Sequence, residues 1–180
     1  MYFSSIEIAH SPTRHLITFD KLYKSEKLDH GELPEFYEHL RWVNVWYMHK
    51  KWVKENHTFS GWKNAYTNDH ICIAFNGKGK SMSICSKQPN GHLFSLVSFE
   101  ATAAWLDNLE INIIGRRQYQ DVYSTKIILQ FDHSQVFQLN WQNIDQIEFI
   151  PSGGSSHQGV QYTEKYFAIT WIVLFLLLIK

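Results

Sequence analysis

The histidines are the first residues of this sequence that could carry chemistry, because imidazole binds transition metals and transfers protons near neutral pH. The ten histidines lie at positions 10, 15, 30, 39, 49, 57, 70, 92, 133 and 157. No two are spaced as HxH, HExxH or HxxxH. The two cysteines, Cys72 and Cys85, form no CxxC pair. The sequence therefore predicts surface histidines, with no catalytic metal and no structural zinc.

The segment from Ser152 to His157 brings serine and histidine close together, which is the composition of a hydrolase site. It lacks the GxSxG context of a nucleophile in a sharp turn, so we interpret it as a mobile Ser/Gly connection. Residues 76–80 are too short for a phosphate-binding loop and predict a hairpin turn. No motif supports the paired carboxylates of a glycosidase. We therefore expect no catalysis.

Aromatic rings are the remaining candidates, since an exposed ring can stack on the C–H face of a sugar while nearby amides bind its hydroxyls. Aromatic residues make up 16% of the chain. We predict a carbohydrate-binding platform in the loop-rich first half, formed by Asn44, Trp46, Tyr47, Trp62 and Tyr66. The alternative is that these rings fill the core, as we expect for Trp42, Trp105 and Trp141 in the strand motifs.

The composition is typical of one folded domain. Seventeen Lys+Arg balance seventeen Asp+Glu, which argues against a nucleic acid bound by a basic face. The apolar fraction of 44% and the charged fraction of 19% exclude a disordered chain. From the 180 residues we predict an N-terminal extension over 1–15, a single β-sandwich domain over 16–172 and an apolar tail over 173–180.

Strand patterns dominate from residue 70 onward. Short strands are predicted over 70–76, 81–86, 93–106, 109–114, 122–131, 135–141 and 144–150, and the side chains of 70–76, 109–114 and 144–150 alternate between two faces. This succession of short strands and turns predicts an all-β antiparallel sandwich or jelly roll. Gly115 is predicted to end its strand. Residues 21–35 are predicted to be loop, and residues 36–54 combine helical spacing with residues that favour strands, with a slight preference for a helix.

Two features near the chain ends leave alternatives open. The stretch from Tyr166 to Ile179 carries no charge and is shorter than the roughly 20 residues that span a bilayer. We favour a buried last strand with an apolar tail, and a membrane anchor or an interface segment is the alternative. Residues 1–12 lack the basic start and apolar run of a secretory signal.

The proposed hairpin turn at Asn76 to Lys80 also makes a prediction about the cysteines. A turn centred between Lys78 and Gly79 places Cys72 opposite Cys85 on one sheet face. We therefore hypothesise that the two thiols are neighbours that bond only in an oxidising compartment. Two buried reduced thiols are the alternative.

Short motifs follow one another in a fixed order along the chain. They are Phe19-Asp20, Leu33-Pro34, Trp42 with Asn44 and Tyr47, Ser60-Gly61-Trp62, Ala74-Phe75-Asn76-Gly77, Ala103-Ala104-Trp105-Leu106-Asp107, Asn140-Trp141 with Ile144-Asp145, Ser152-Gly153-Gly154 and Phe167-Ala168. This ordered set resembles a bacterial family of secreted or surface-anchored β-sandwich proteins, many of which carry the C-terminal sorting tail called PEP-CTERM. The resemblance covers residues 16–170, whereas the Pro-Glu-Pro motif and terminal Arg cluster of the tail are absent.

The resemblance implies a galactose-binding-like jelly roll located outside the cell or at its surface. It implies strand and loop at Leu40–Tyr47 in place of a helix. Related folds hold a calcium ion between the first and last strands, for which Asp20 is a weak candidate ligand because Thr170 replaces the usual acidic partner. We expect a non-enzymatic binding module for carbohydrate or another surface or matrix ligand. The alternative is a structural or interaction protein attached to a membrane by its apolar C-terminal segment.

Overall fold

The structure, a computed structural model, describes residues 13–26, 28–67, 69–87 and 93–176. In these ranges the chain forms thirteen strands, two α-helices and two 3₁₀ helices. The strands are β1 (Thr13–Thr18), β2 (His30–Glu32), β3 (Phe36–Tyr37), β4 (Leu40–Val43), β5 (Val45–His49), β6 (Cys72–Asn76), β7 (Met82–Ser86), β8 (Phe94–Ala103), β9 (Leu106–Arg117), β10 (Gln120–Leu129), β11 (Gln135–Ile144), β12 (Gln146–Ser156) and β13 (Phe167–Leu176). The α-helices are α1 (Asp20–Glu26) and α2 (Lys50–Asn56), and the 3₁₀ helices are Gly61–Ala65 and Gly77–Gly79.

The strands form two antiparallel sheets, which confirms the predicted all-β sandwich. One sheet has the order β11-β8-β13-β6-β5-β2, with β1 paired to β13. The other has the order β10-β9-β12-β7-β4-β3. The ambiguous stretch contains β4 and β5, so the strand interpretation of Leu40–Tyr47 is confirmed, and α2 follows immediately. The loop prediction for 21–35 is wrong where α1 and β2 form.

The core lies between the sheets and is built by alternation along the strands. In β9, Leu109, Ile111 and Ile113 are buried on the inner face. Phe99 of β8 meets Phe149 of β12 edge to face, with ring centroids 5.4 Å apart. Such a contact joins the two sheets directly. Replacing a buried aromatic residue by a small one typically lowers the free energy of unfolding by about 3–5 kcal/mol.

The connection from α2 to β6 covers the outer face of the seven-stranded sheet. Phe99 points into the core, so the next residue of β8, Glu100, points to the opposite face. There Glu100 accepts a hydrogen bond from the Thr67 hydroxyl at 2.7 Å. The Thr170 hydroxyl donates to the carbonyl oxygen of Ala65 at 2.6 Å. This second layer explains why β6 is buried along its whole length.

The predicted hairpin between residues 72 and 85 is wrong. β6 pairs with β5 and β13, whereas β7 pairs with β4 and β12 in the other sheet. The turn at residues 77–79 therefore carries the chain from one sheet to the other. Cys72 and Cys85 lie in different sheets and are both free thiols. The proposed cross-strand pairing does not form, and burial raises the pKa of Cys72 to about 12.

Gly115 does not end its strand, because β9 continues to Arg117. A Cβ atom at Gly115 would lie 2.9 Å from the Trp141 ring. The ring of Trp141 stacks on Tyr123 with centroids 5.3 Å apart and an interplanar angle of 10°. The glycine therefore makes room for an aromatic pair that closes one end of the sandwich.

The Ser/Gly run is also structured, in contrast to the predicted mobile connection. Residues 151–156 belong to β12 and pair with β9 as far as Ser156 opposite Leu106. Gly153 and Gly154 have φ values of 56° and 81°, which suit glycine, and the register with β9 is the same before and after them.

The apolar C-terminal stretch forms a strand over its described part. β13 is paired along its length, with β8 on one side and with β6 and then β1 on the other. The buried-strand interpretation is confirmed for residues 167–174, and the strand itself continues to Leu176, beyond the predicted domain end at 172. At the other end of the chain, β1 begins at Thr13. Residues 177–180 lie outside the described ranges. Among the described helices, none has the length and apolar character needed to cross a membrane.

Candidate functional site

The predicted platform residues have different environments. Tyr47 and Trp62 are 2% and 3% exposed. A ring must present a face to solvent to stack on a sugar, so both rings act here as core residues, which corrects their assignment to the platform. The indole N–H of Trp62 has no hydrogen-bond acceptor among the described residues. Asn44 is a structural residue, because its amide donates to the carbonyl oxygens of Gly77 and Ser81 at 3.0 and 2.7 Å.

Trp46 and Tyr66 are partly buried and pack against the core. The Tyr66 hydroxyl donates to the carbonyl oxygen of Met48 at 3.2 Å. Burial raises the pKa of Tyr66, so the phenol stays protonated. Of the five predicted residues, Tyr66 lines a surface cleft.

This cleft, which we call the lysine cleft, has a volume of about 400 Å³. It lies between α2 and the residues that follow the 3₁₀ helix Gly61–Ala65. Its lining consists of Lys50, Val53, Lys54, His57, Thr58, Lys63, Tyr66, Asp69 and His70. Lys50 and Lys54 are four residues apart and so share one face of α2. Burial, and after it the charge of His30, lowers the pKa of His57, so this imidazole is neutral at pH 7.

A second surface adjoins the lysine cleft at Thr58 and Lys63. We call it the Phe59 surface and define it by Phe59, Asp107, Phe131, His157 and Tyr162. The Nζ atom of Lys63 lies 6.0 Å from the ring centroid of Phe59 and 5.9 Å from that of Phe131. Phe59 and Tyr162 are 51% and 53% exposed, whereas Phe131 is buried.

A polar pair lies beside the Phe59 ring. Nδ1 of His157 is 2.9 Å from a carboxylate oxygen of Asp107. The imidazole stacks on Phe131 with ring centroids 3.9 Å apart, and it lies 6.3 Å from Phe59. The Tyr162 ring packs at 4.5 Å on Trp105, whose carbonyl oxygen accepts the backbone N–H of His157. The Phe59 ring, the imidazole and the Asp107 carboxylate are therefore neighbours, and Tyr162 is linked to them through Trp105.

The His157–Asp107 pair resembles two members of a hydrolase triad, and a nucleophile would complete it. The hydroxyl of Ser156, the nearest serine in sequence, donates instead to the carbonyl oxygen of Tyr162 at 3.0 Å. Among the described residues, no serine or threonine hydroxyl is hydrogen-bonded to His157. The pair can donate and accept hydrogen bonds, which is what a binding site for hydroxyl groups needs.

Asp20, the calcium candidate, is engaged in hydrogen bonds with the protein. Its Oδ1 accepts the backbone N–H groups of Ile71 and Cys72 at 2.8 and 3.0 Å, and its Oδ2 lies 2.9 Å from Nδ1 of His70. The Thr170 hydroxyl donates a hydrogen bond to the carbonyl oxygen of Ala65, so it is already engaged within the protein. Within the described ranges, no group of three or more His, Cys, Asp or Glu side chains could hold a metal ion. The contacts of Asp20 indicate that it joins α1 to the start of β6.

We expect Asp20→Asn to destabilise the fold at neutral pH by about 1–3 kcal/mol, because hydrogen bonds to a charged acceptor are the stronger kind. Burial raises the pKa of Asp20, but the hydrogen bonds from His70, Cys72 and Ile71 outweigh it and lower the pKa below its ordinary value. The stabilisation is therefore present above the ordinary Asp pKa and is lost as the pH falls through the lowered value. Urea unfolding at pH 7 and pH 3 should show the difference between wild type and variant shrinking in acid. An equal difference at both pH values would contradict this role.

Comparison with known proteins gives no family for this chain. No family model matches the sequence, and no curated protein matches it. The chain is similar to several solved structures, among them the following two. A DUF4465 family protein from Bacteroides ovatus ATCC 8483 is 10% identical with a TM-score of 0.49, and the match covers 73% of this chain and 71% of that one.

The second is TmCBM61, solved in complex with β-1,4-galactotriose. It is 7% identical with a TM-score of 0.41, and the match covers 79% of this chain and 90% of that one. The link to proteins with the PEP-CTERM tail stays a prediction. We therefore base the functional proposal on the described side chains.

Proposed function

We propose that this protein is a non-enzymatic carbohydrate-binding module and that the Phe59 surface is its glycan site. The observation that supports this most is that the half-exposed Phe59 ring lies beside the His157–Asp107 pair, with half-exposed Tyr162 packed on the adjoining Trp105. Apolar sugar faces stack on such rings, while imidazole and carboxylate bind hydroxyl groups with defined direction. In agreement with the resemblance described above, we propose that the module acts outside the cell or at its surface.

The site is assembled from four separate parts of the chain. Phe59 follows α2, Asp107 lies at the start of β9, and His157 and Tyr162 follow β12. The carbonyl oxygen of Phe131 accepts the Asn64 amide at 2.7 Å, which fixes the segment carrying Phe59 against the end of β10. Positioning by packed elements keeps the rings in place before a ligand arrives, and this reduces the entropic cost of binding.

Binding to a glycan array, followed by titration of the best neutral glycan, tests the proposal. We expect Phe59→Ala and Tyr162→Ala each to weaken binding by about tenfold, since an aromatic contact contributes about 0.5–1.5 kcal/mol. Phe36→Ala is the matched control, because Phe36 is also 51% exposed and lies in β3, at the opposite edge of the sheet from β10, β9 and β12. Absence of any glycan binding, or equal losses in all three variants, would overturn the proposal.

A further inference from the structure

The lysine cleft contains an excess of positive charge. Lys50, Lys54 and Lys63 line it, and none is within 4 Å of a carboxylate oxygen of the described residues. By contrast, Lys21, Lys51 and Lys126 are paired with Glu38, Asp29 and Glu110. Asp69 is the one acidic residue of the described cleft lining.

This excess stands out because the whole chain has a formal net charge of zero. Like charges four residues apart on a helix repel one another, so Lys50 and Lys54 destabilise α2 slightly in the free protein. Of the other titratable groups that line the cleft, Asp69 brings one negative charge against the three lysines, and the two histidines add no further negative charge. His57 is neutral at pH 7, and His70 is already hydrogen-bonded to Asp20. An anionic group bound between the ammonium groups would relieve the repulsion.

We infer that the lysine cleft binds the carboxylate or sulfate group of an acidic saccharide whose neighbouring sugar rings rest on the Phe59 surface. This inference rests on the proposed function. Lys63 connects the two parts, since it lines the cleft and its Nζ lies 6.0 Å from the Phe59 ring centroid. Thr58 lines the cleft next to Phe59 in the sequence and adds a hydroxyl.

The size and chemistry of the cleft fit this ligand class. A volume of about 400 Å³ lies within the range of small-molecule sites and holds a sugar unit together with its acidic group. Lysine ammonium groups are flexible point charges with three N–H donors each, so they can donate hydrogen bonds to the oxygens of either a carboxylate or a sulfate. His57, Thr58 and Tyr66 supply neutral polar atoms for the hydroxyl groups of the same sugar.

The experiment compares acidic polysaccharides with neutral forms of the same backbone. Full-length protein is titrated with polygalacturonate and its methyl ester, and with dextran sulfate and dextran, at low and physiological salt. We expect at least one acidic probe to bind about tenfold more tightly than its neutral form, and the preference to fall with added salt. Inorganic sulfate should compete with the sulfated probe if a free anion is sufficient for the cleft.

Three triple variants separate the cleft from general charge effects. We expect K50Q/K54Q/K63Q to lose the preference for the acidic probe and K50R/K54R/K63R to keep it. The control K21Q/K51Q/K126Q removes the same formal charge at paired lysines and should also keep it. Equal losses in the two glutamine variants, or no acidic preference in wild type, would overturn the inference. The proposed function is tested separately, and it fails if no glycan is bound or if Phe59→Ala, Tyr162→Ala and Phe36→Ala lose binding equally.

Discussion

Gly61→Ala is expected to destabilise the protein by about 3 kcal/mol or more, because overpacking against backbone atoms cannot be relieved by a side-chain movement. A Cβ atom at Gly61 would lie 1.9 Å from the carbonyl oxygen of Ala103 and 2.7 Å from that of Phe131. The backbone N–H of Gly61 also donates to the carbonyl oxygen of Ala104 at 2.8 Å. The glycine is the point at which the 3₁₀ helix docks on the sandwich.

The expected fall in melting temperature is roughly 6–12 °C for a chain of this size. Gly31→Ala is the matched control, since its new Cβ would meet only side-chain atoms of Tyr47 at 3.3 Å or more. Displacing the 3₁₀ helix moves Trp62 and Lys63, so glycan binding should weaken together with stability. A Gly61→Ala protein with the melting temperature of wild type would show that this close approach does not exist in solution.

Asn76→Ala is expected to lower the free energy of unfolding by about 3–4 kcal/mol, because it leaves several buried polar groups without hydrogen-bond partners. The side-chain amide of Asn76 is fully buried. It donates to the carbonyl oxygens of Lys80 and Lys165 at 2.8 and 3.0 Å, and it accepts the backbone N–H of Phe167 at 2.8 Å. One asparagine therefore joins the crossing between the sheets to the start of β13.

The substitution Asn76→Asp separates the hydrogen bonds that the side chain donates from the one that it accepts. A carboxylate can still accept the N–H of Phe167, but it cannot donate to the two carbonyl oxygens and brings a charge into the core. We expect denaturant unfolding to show at least as large a loss for Asn76→Asp as for Asn76→Ala. Asn112→Ala, in β9 on the outward face, should change stability by less than about 1 kcal/mol. If Asn76→Asp were as stable as wild type, the two donated hydrogen bonds would have no role.

The strands of the second half could be predicted because each has its own local signal. Leu109, Ile111 and Ile113 alternate with polar residues, and they are the buried face of β9. The same holds for Ile147 and Phe149 of β12. Alternation of this kind reflects burial on one side of a sheet, so a single sequence contains it.

The partners of those strands could not be predicted in the same way. The turn chemistry of Asn76 to Gly79 is compatible both with a hairpin and with a crossing between sheets. The deciding fact is that β6 is buried on both faces and pairs with β5 and β13, which lie far from it in the sequence. The assignment of Gly115 as a strand end failed for a similar reason, since the Trp141 ring that requires the glycine comes from β11.

The candidate site shows the same difference between what a local pattern predicts and what distant contacts decide. From its residue types the sequence alone determined a β-sandwich, pointed to aromatic rings as the candidate ligand-binding groups and predicted no catalytic motif. It could not determine which rings are exposed, because Trp62 and Phe59 are three residues apart and differ only in the surface against which each packs. The tertiary structure decided this by docking the 3₁₀ helix Gly61–Ala65 on β8, which buries Trp62 and leaves Phe59 beside His157. The same docking groups three lysines around one cleft. Exposure depends on contacts between distant segments, and no local pattern records those contacts.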